Sequence, residues 1–348
     1  MTNFSQLSNN QFILRQRPSG LPKESDWQQV KTAVKAPEKG KVLVAVTFIS
    51  VDPAMRSWMN EGKSYMEAIA IGDVMRAAGA GLVLQSDDAR FSVGDAVLGA
   101  FGVQEFATMD PDDLTKIDIS NVPATAYMGA LGTPGFTAYF GLLEIGKVRF
   151  GETVLVSGAA GAVGSVVGQI AKIKGCRVVG IAGGAEKCAH LVNNLGFDAA
   201  VDYKQPDARA QLSKACPEGV DVYFDNVGGE VLDLALGRIR RGARIVVCGA
   251  VSQYNNVARG SGPKNYMSLL MNRARMEGFV IFDYEKRYPE ALHALRGWLA
   301  AGWIKSYEDV LEGIETFPTA LQRMFEGGNT GKMLIKLPAT AGLAATAK

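Results

Sequence analysis

The sequence predicts an α/β chain in two parts: a β-rich unit and a doubly wound parallel sheet flanked by helices. Three observations predict it. The stretch Thr153–Ala171, TVLVSGAAGAVGSVVGQIA, passes from strand-forming residues through a glycine-rich turn into a helix-like run. From Gly151 onward, strand-like and helix-like segments alternate with the spacing of parallel β-α-β units. Between residues 40 and 110 the chain instead shows short β-like runs separated by Gly and Asp turn signals.

Taken in order, the β-rich runs are KVLVAVTFIS (Lys41–Ser50), GLVLQS (Gly81–Ser86), GDAVLGAF (Gly94–Phe101) and VQEFATM (Val103–Met109). The parallel part opens with the strand at Thr153. It continues with RVVGIA (Arg177–Ala182), AAVDY (Ala199–Tyr203), DVYFDNV (Asp221–Val227) and ARIVVCG (Ala243–Gly249), and a sixth strand is expected at EGFVIF (Glu277–Phe282). Leu292, Leu295, Trp298 and Leu299 then recur at helical spacing. Lys332–Leu337 returns to β patterning and is expected to rejoin the N-terminal unit. The tail ATAGLAATAK after Pro338 is of low complexity, and fraying is expected there.

With 348 residues, 47% of them hydrophobic and 21% charged, the chain can form two domains and bury a sizeable core. The 37 basic and 35 acidic residues leave a formal charge of +2 with no run of like charge, which points away from nucleic acid and toward a small-molecule ligand. Cys176, Cys188, Cys216 and Cys248 show no Cys-x-x-Cys spacing and fit reduced thiols. The N-terminal run MTNFSQLSNNQFILRQRPSGLP lacks the parts of an export signal, so a cytoplasmic location is expected. Two uncharged stretches are long enough to raise the question of a membrane span. Pro123, Pro134 and several glycines break 121–143, while 153–171 holds a strand, a turn and a helix.

The turn after Thr153–Ser157 is read as a cradle for a dinucleotide pyrophosphate. Glycines let backbone N–H groups approach the phosphates, and the helix that opens there directs the positive end of its dipole at them. Against G-x-G-x-x-G the chain has Ala159 at the first glycine, then Gly161 and Gly164. Such turns also arise for packing alone. In these folds the second strand usually ends in Asp or Glu, which binds the adenosine ribose hydroxyls; here that place reads Gly183-Gly184. A carboxylate repels a 2′-phosphate, so its absence, with Lys187 just beyond and Tyr203 closing the third strand, favours NADP over NAD. Glu186 fits simple complementation of a helix dipole, and Lys187 read alone fits a solvated helix cation equally well.

Asn226 ends the fourth strand in DNVGG, where open α/β sheets face their ligand, although turn chemistry before Gly228-Gly229 also explains it. The run CGAVSQYN (Cys248–Asn255) follows the fifth strand and carries Tyr254, a phenol suited to a reaction centre, although a loop tyrosine read alone is more often a packing residue. Only His190 and His293 are present, and no Cys/His/acid set suggests a zinc site. No serine sits in a Gly-x-Ser-x-Gly elbow, and no acid pair stands out for hydrolysis.

RPSGLP (Arg17–Pro22), SVDPAMRSWM (Ser50–Met59), IGDVMRAAGAG (Ile71–Gly81), PGFTAYFGLLEIG (Pro134–Gly146) and Gly158–Cys188 occur in this order, followed by DNVGG, CGAVSQYN, EGFVIF and GGNTGK (Gly327–Lys332). Over nearly its whole length the chain thereby resembles the zinc-independent medium-chain dehydrogenases/reductases. The likeness is to the branch of leukotriene/prostaglandin reductases, plant alkenal double-bond reductases and bacterial curcumin reductase. The resemblance implies a GroES-like β-rich catalytic domain from residues 1–130 and 308–348, and a Rossmann NADP-binding domain over 131–307, with the cofactor cleft between them. It implies a homodimer as well.

By position, the resemblance assigns Ala162, Val163 and Gly164 to the pyrophosphate turn, and Gly184, Lys187 and Tyr203 to the 2′-phosphate end. To the rest of NADP(H) it assigns Asn226, Cys248, Gly249, Ala250, Ser252, Tyr254, Phe279, Val280, Ile281 and Asn329. The implied reaction is reduction of the carbon–carbon double bond of an α,β-unsaturated ketone or aldehyde, with Tyr254 and the nicotinamide ribose hydroxyl stabilising an enolate. Tyr65, in KSY (Lys63–Tyr65), is a second candidate phenol and reads equally as a surface-loop aromatic.

Two departures separate the chain from the family pattern. Ala54 stands where the family commonly has Tyr, and the proline-rich loop of mammalian members is reduced to Pro263. Arg56 and Arg76 could reach an anionic substrate, but structural bonding is the simpler expectation. Quinone reduction in the same cleft, and a non-enzymatic NADPH-binding structural or sensor role, are the alternative readings.

Overall fold

The structure is a computed structural model and describes residues 7–62, 64–256 and 262–338. The low-complexity tail at 339–348, Lys63 of the KSY run and residues 257–261 lie outside the described residues. The chain folds as two compact units. One takes in the described residues of Met1–Met128, Asp309–Gly328 and Met333–Lys348; the other takes in those of Gly129–Glu308 and Asn329–Lys332.

In the first unit, β1 (Ser8–Leu14) and β2 (Trp27–Ala33) form an antiparallel ribbon. After them come β3 (Val42–Ser50), the short helix α1 (Met55–Trp58), β4 (Gly79–Ser86), β5 (Ala96–Gly99), β6 (Phe106–Met109), β7 (Thr115–Lys116) and α2 (Ala124–Met128). The run VLVAVTFIS makes β3 the central strand because both of its faces are apolar. Val42, Val44 and Val46 join one buried cluster, while Leu43 and Ala45 join another with Leu84 and Phe106, as the two-residue period of a strand requires.

The second unit follows the order α3 (Thr133–Phe140), β8 (Thr153–Ser157), α4 (Ala162–Ile173), β9 (Arg177–Ala182), α5 (Ala185–Asn193), β10 (Ala199–Asp202) and α6 (Ala208–Ala215). It continues through β11 (Val220–Asp225), α7 (Gly229–Leu236), β12 (Ile239–Val247), α8 (Met267–Asn272), β13 (Arg275–Gly278) and α9 (Tyr288–Ala300). Its strands form one parallel sheet in the order β10-β9-β8-β11-β12-β13. The direction of winding reverses between β8 and β11, and ligands of such sheets bind beyond the strand ends at that reversal. Every residue of β8 is buried, as a central parallel strand demands.

Strand ends follow partners rather than local preference. The expected strand at 277–282 is corrected to Arg275–Gly278: Gly278 pairs with Val247, the last residue of β12, so no ladder continues past it. The chain turns instead into a 3-10 segment at Ile281–Arg287. For the same reason β10 stops at Asp202, opposite Ala182 at the end of β9, leaving Tyr203 outside the strand.

The chain then returns to the first unit through β14 (Glu308–Glu312), α10 (Phe317–Phe325) and β15 (Lys332–Lys336). The first unit's sheet runs β14-β15-β3-β4-β5-β7, with β6 also paired to β3. β15 lies antiparallel to β3. Among the described residues no helix is long and apolar enough to cross a membrane.

Candidate functional site

The residues singled out in the second unit collect at the C-terminal ends of its strands. Gly158 leaves β8 at φ +57°, a conformation open to glycine, and its carbonyl accepts a hydrogen bond from Gly161 N–H at 2.9 Å. Gly161 is the N-cap of α4 and makes no side-chain capping bond. Among the described residues, the first-turn N–H groups of Ala162, Val163 and Gly164 therefore have neither an intrahelical partner nor an N-cap side chain. A Cβ on Gly164 would lie 2.4 Å from the Gly158 carbonyl oxygen, so the helix can start this close to the turn only with glycine.

Ala159 is buried and donates its N–H to Ile181 O across to β9 at 3.1 Å. From the far end of the chain, Gly331 donates to Ala160 O at 2.7 Å, and the Asn329 side-chain amide donates to Gly331 O at 2.9 Å. Asn329 is thereby held beside the glycine-rich turn.

Beyond β9, Gly184 adopts φ +95° and caps α5, in which Lys187 is half-buried. The carboxylate missing from the end of β9 is found one strand over. Asp202 Oδ1 accepts the N–H groups of Gly184 (2.9 Å) and Lys204 (3.0 Å), and Oδ2 accepts the Gln205 amide. The Gly184 bond leads in holding this carboxyl below the usual carboxylate range. A Cβ on Gly183 would meet Tyr203 Cε1 and Lys204 Cε, each at 2.9 Å. Tyr203 and Lys204 thus both lie over the bare Gly183 backbone.

Beyond β11, a buried carboxylate organises the turn. Asp225 Oδ1 accepts from Ser157 Oγ (2.9 Å), Tyr223 Oη (2.7 Å), Val227 N (3.0 Å) and Gly228 N (3.0 Å). Burial, with the Asp225 charge next, pushes the Tyr223 phenol well above its usual value. Asn226 donates its backbone N–H to Ser157 Oγ at 2.9 Å and its side-chain amide to Ser157 O at 2.7 Å.

The loop after β12 is tied to this turn through Cys248 and Gly249, both donating to Asp225 O, Val251 to Asn226 O, and Ser252 to Val227 O. Burial and then Asp225 push the half-buried Cys248 thiol up to about 12, which disfavours its thiolate. The Tyr254 hydroxyl folds back over its own loop and accepts the Ala250 N–H at 3.2 Å. Phe279, Val280 and Ile281 follow β13, and the Phe279 ring covers Gly141, where a Cβ would lie 2.6 Å from Phe279 Cζ.

Tyr65 belongs to the first unit, where it is 55% exposed. Arg56 is buried in that unit and bonds to Pro18 O, Gly20 O and Asn60 Oδ1, with its guanidinium pushed down by burial. Arg76 donates to Glu67 O at 3.0 Å and lies 5.7 Å above the Trp58 ring. Among the described residues no three His, Cys, Asp or Glu side chains gather as a metal site requires. All four cysteines are free thiols.

Sequence reasoning passed over Ser157, Asp202, Lys204 and Asp225. The signal for Asp225 was present: an acid before Asn-Val-Gly-Gly marks a side chain that caps backbone N–H groups of a tight turn. Nothing local marks Ser157 or Lys204, which act through neighbours brought in by the sheet.

Two family profiles match the chain: one described as the N-terminal domain of oxidoreductase over residues 10–117, and one described as zinc-binding dehydrogenase over residues 162–297. The chain is 44% identical to the NADP(+)-dependent 2-alkenal reductase of Nicotiana tabacum, covering 95% of this chain and 98% of that protein. It is 40% identical to the NADPH-dependent curcumin reductase of Escherichia coli (strain K12), covering 94% and 97%. The structure of CurA in complex with NADPH from Vibrio vulnificus superposes with a TM-score of 0.90 at 40% identity, covering 95% of this chain and 99% of that one. With likeness spanning both units at these identities, the chain belongs to the zinc-independent medium-chain dehydrogenases/reductases, in the branch of curcumin, alkenal and prostaglandin reductases.

Proposed function

We propose that this chain is an NADPH-dependent reductase of the carbon–carbon double bond of α,β-unsaturated ketones and aldehydes. The observation that carries the reading is the arrangement at the ends of β8, β9 and β12 in a chain this similar to alkenal and curcumin reductases. The uncapped first turn of α4 suits a pyrophosphate, because its N–H groups still need acceptors. The Gly183-Gly184 turn suits a 2′-phosphate: Asp202 is engaged by backbone N–H groups, while Lys187, Tyr203 and Lys204 supply positive charge and a phenol.

NADPH, when bound, supplies the hydride that the β-carbon receives. Negative charge then gathers on the substrate carbonyl oxygen, and in this reading Tyr254 donates its O–H to that oxygen. Acceptance of the Ala250 N–H by the same hydroxyl polarises it and makes it a better donor. A proton from solvent or a neighbouring phenol completes the saturated carbonyl at the α-carbon. Tyr65 is the second candidate phenol for the substrate in this reading.

The test is NADPH oxidation across alkenals, alkenones and quinones, with mass-spectrometric identification of products. A saturated ketone or aldehyde is expected. Hydroquinone as the sole product, strict preference for NADH, or no enone-dependent oxidation overturns the reading.

A further inference from the structure

RPSGLP and SVDPAMRSWM, two motifs to which the reaction itself assigns no role, are bound to each other by a reciprocal pair of arginines. Arg56 of the second motif donates to Pro18 O and Gly20 O of the first, each at 3.1 Å. Arg17 of the first reaches back: its Nη1 donates to Met59 O at 2.7 Å and to Ile69 O at 3.2 Å, and its Nε pairs with Glu61 at 2.9 Å. Ile69 N–H also donates to Trp58 O at 2.8 Å, so Met59 and Ile69 lie side by side although ten residues apart in sequence. One guanidinium therefore spans both ends of the excursion that carries Tyr65.

The chemistry favours arginine for this task. Its planar fork presents several N–H donors in fixed directions, so a single side chain can serve two carbonyls and a carboxylate together. The Arg17 side chain is 26% exposed whereas Glu61 is 77% exposed, which makes the carbonyl bonds the better-shielded part of the set. Farther along, Arg76 holds Glu67 O, two residues past Tyr65.

We propose that Arg17 is a positioning residue that fixes Ser64–Ala68, and with it Tyr65, and so sets which enones the enzyme accepts. The specificity half of this statement rests on the reading that Tyr65 lines the substrate; the positioning half does not. Arg17 acts through the segment it ties and touches no reacting atom.

Hydrogen exchange of the whole chain without substrate tests the positioning by itself. In Arg17→Gln the buried Ile69 amide, which donates to Trp58 O at the foot of the excursion, is expected to exchange about tenfold or more faster, while the amides of β3 and β4 keep their protection. Unchanged exchange at Ile69, or loss spread evenly over the first unit, overturns the proposal. Should Arg17→Gln fail to fold, Arg17→Lys, which keeps the charge but not the planar fork, is expected to raise exchange at Ile69 by a smaller factor, and no rise there overturns it.

Turnover tests the specificity. With 4-phenyl-3-buten-2-one, Arg17→Gln is expected to raise KM about tenfold while kcat and the KM for NADPH stay within about twofold, with partial rescue by Arg17→Lys. Tyr65→Phe is expected to cost less in the Arg17→Gln background than alone. Fully additive effects, or a parallel rise in the KM for NADPH, overturn the specificity role. If the wild-type chain turns over no enone, the reductase reading fails and the exchange result still decides whether Arg17 holds the segment.

Discussion

The Ala159 methyl occupies the space that Gly180 leaves open: a Cβ built on Gly180 would sit 2.9 Å from Ala159 Cβ. The alanine that departs from the glycine pattern after β8 is thus matched by a glycine on the neighbouring strand β9. Gly180→Ala is expected to destabilise the chain by about 1–3 kcal/mol through overpacking. Adding Ala159→Gly should restore part of the loss. The restoration stays partial because Leu191 Cδ1 and Phe197 Cδ1 also crowd position 180, at 2.6 and 3.0 Å. Urea unfolding of the single and double variants measures this, and an unchanged midpoint for Gly180→Ala contradicts it.

Ser157 Oγ donates to Asp225 and accepts from Asn226 N–H, and the residue is fully buried. Ser157→Ala leaves both groups short of a partner and is expected to cost about 1–3 kcal/mol in chemical denaturation. A loss within error of zero would show that the turn rearranges to satisfy them.

Asp202 gives a pH signature. Its folded-state pKa lies below the ordinary value, with the Gly184 N–H bond as the leading cause. Its contribution to stability is therefore complete above the unfolded-state value of about 3.9, and fades as pH falls through the lower folded-state value. Between pH 5 and pH 3 wild type should lose more stability than Asp202→Asn. Parallel curves for the two proteins rule this carboxylate out as the source.

For the 2′-phosphate end, Lys187→Ala is expected to weaken NADPH by roughly 10- to 100-fold, the range of a lost charged hydrogen bond. NADH, which lacks the phosphate, should change little. Lys204→Ala should act in the same direction, more weakly, because Lys204 is exposed. Titration calorimetry with both nucleotides decides, and equal weakening of the two makes Lys187 structural.

Tyr254→Phe removes the donor proposed for the carbonyl oxygen. A fall in kcat of about 100-fold is expected, with NADPH affinity nearly kept. Stopped-flow hydride transfer is the measurement; a rate equal to wild type takes the phenol out of the mechanism.

The periodicity in the sequence made most of the strands legible, because β3 alternates between two buried clusters and β8 is buried throughout around the apolar run Val154–Val156. What it could not supply was where strands stop. Gly278 and Asp202 are terminal only because their partners on β12 and β9 end there, which is a property of the sheet rather than of the segment. The candidate site divides the same way. Gly161, Gly164 and Gly184 are visible because glycine declares an unusual backbone or a close approach. Asp202 looks like an ordinary turn acid until the sheet brings the Gly184 N–H to it, whereas Asp225 caps its own turn and gains only Ser157 Oγ from the neighbouring strand.

The hydrogen bond from Gly331 to Ala160 means that the glycine-rich turn after β8 is completed by residues lying beyond the whole C-terminal excursion of the chain. A fragment cut as 129–308 would keep all six parallel strands yet leave the Ala160 carbonyl without its partner and remove Asn329 altogether. The unit that folds around the turn is discontinuous in sequence. Exchanging the nucleotide half between relatives as a single continuous block would therefore join one protein's turn to another protein's prop.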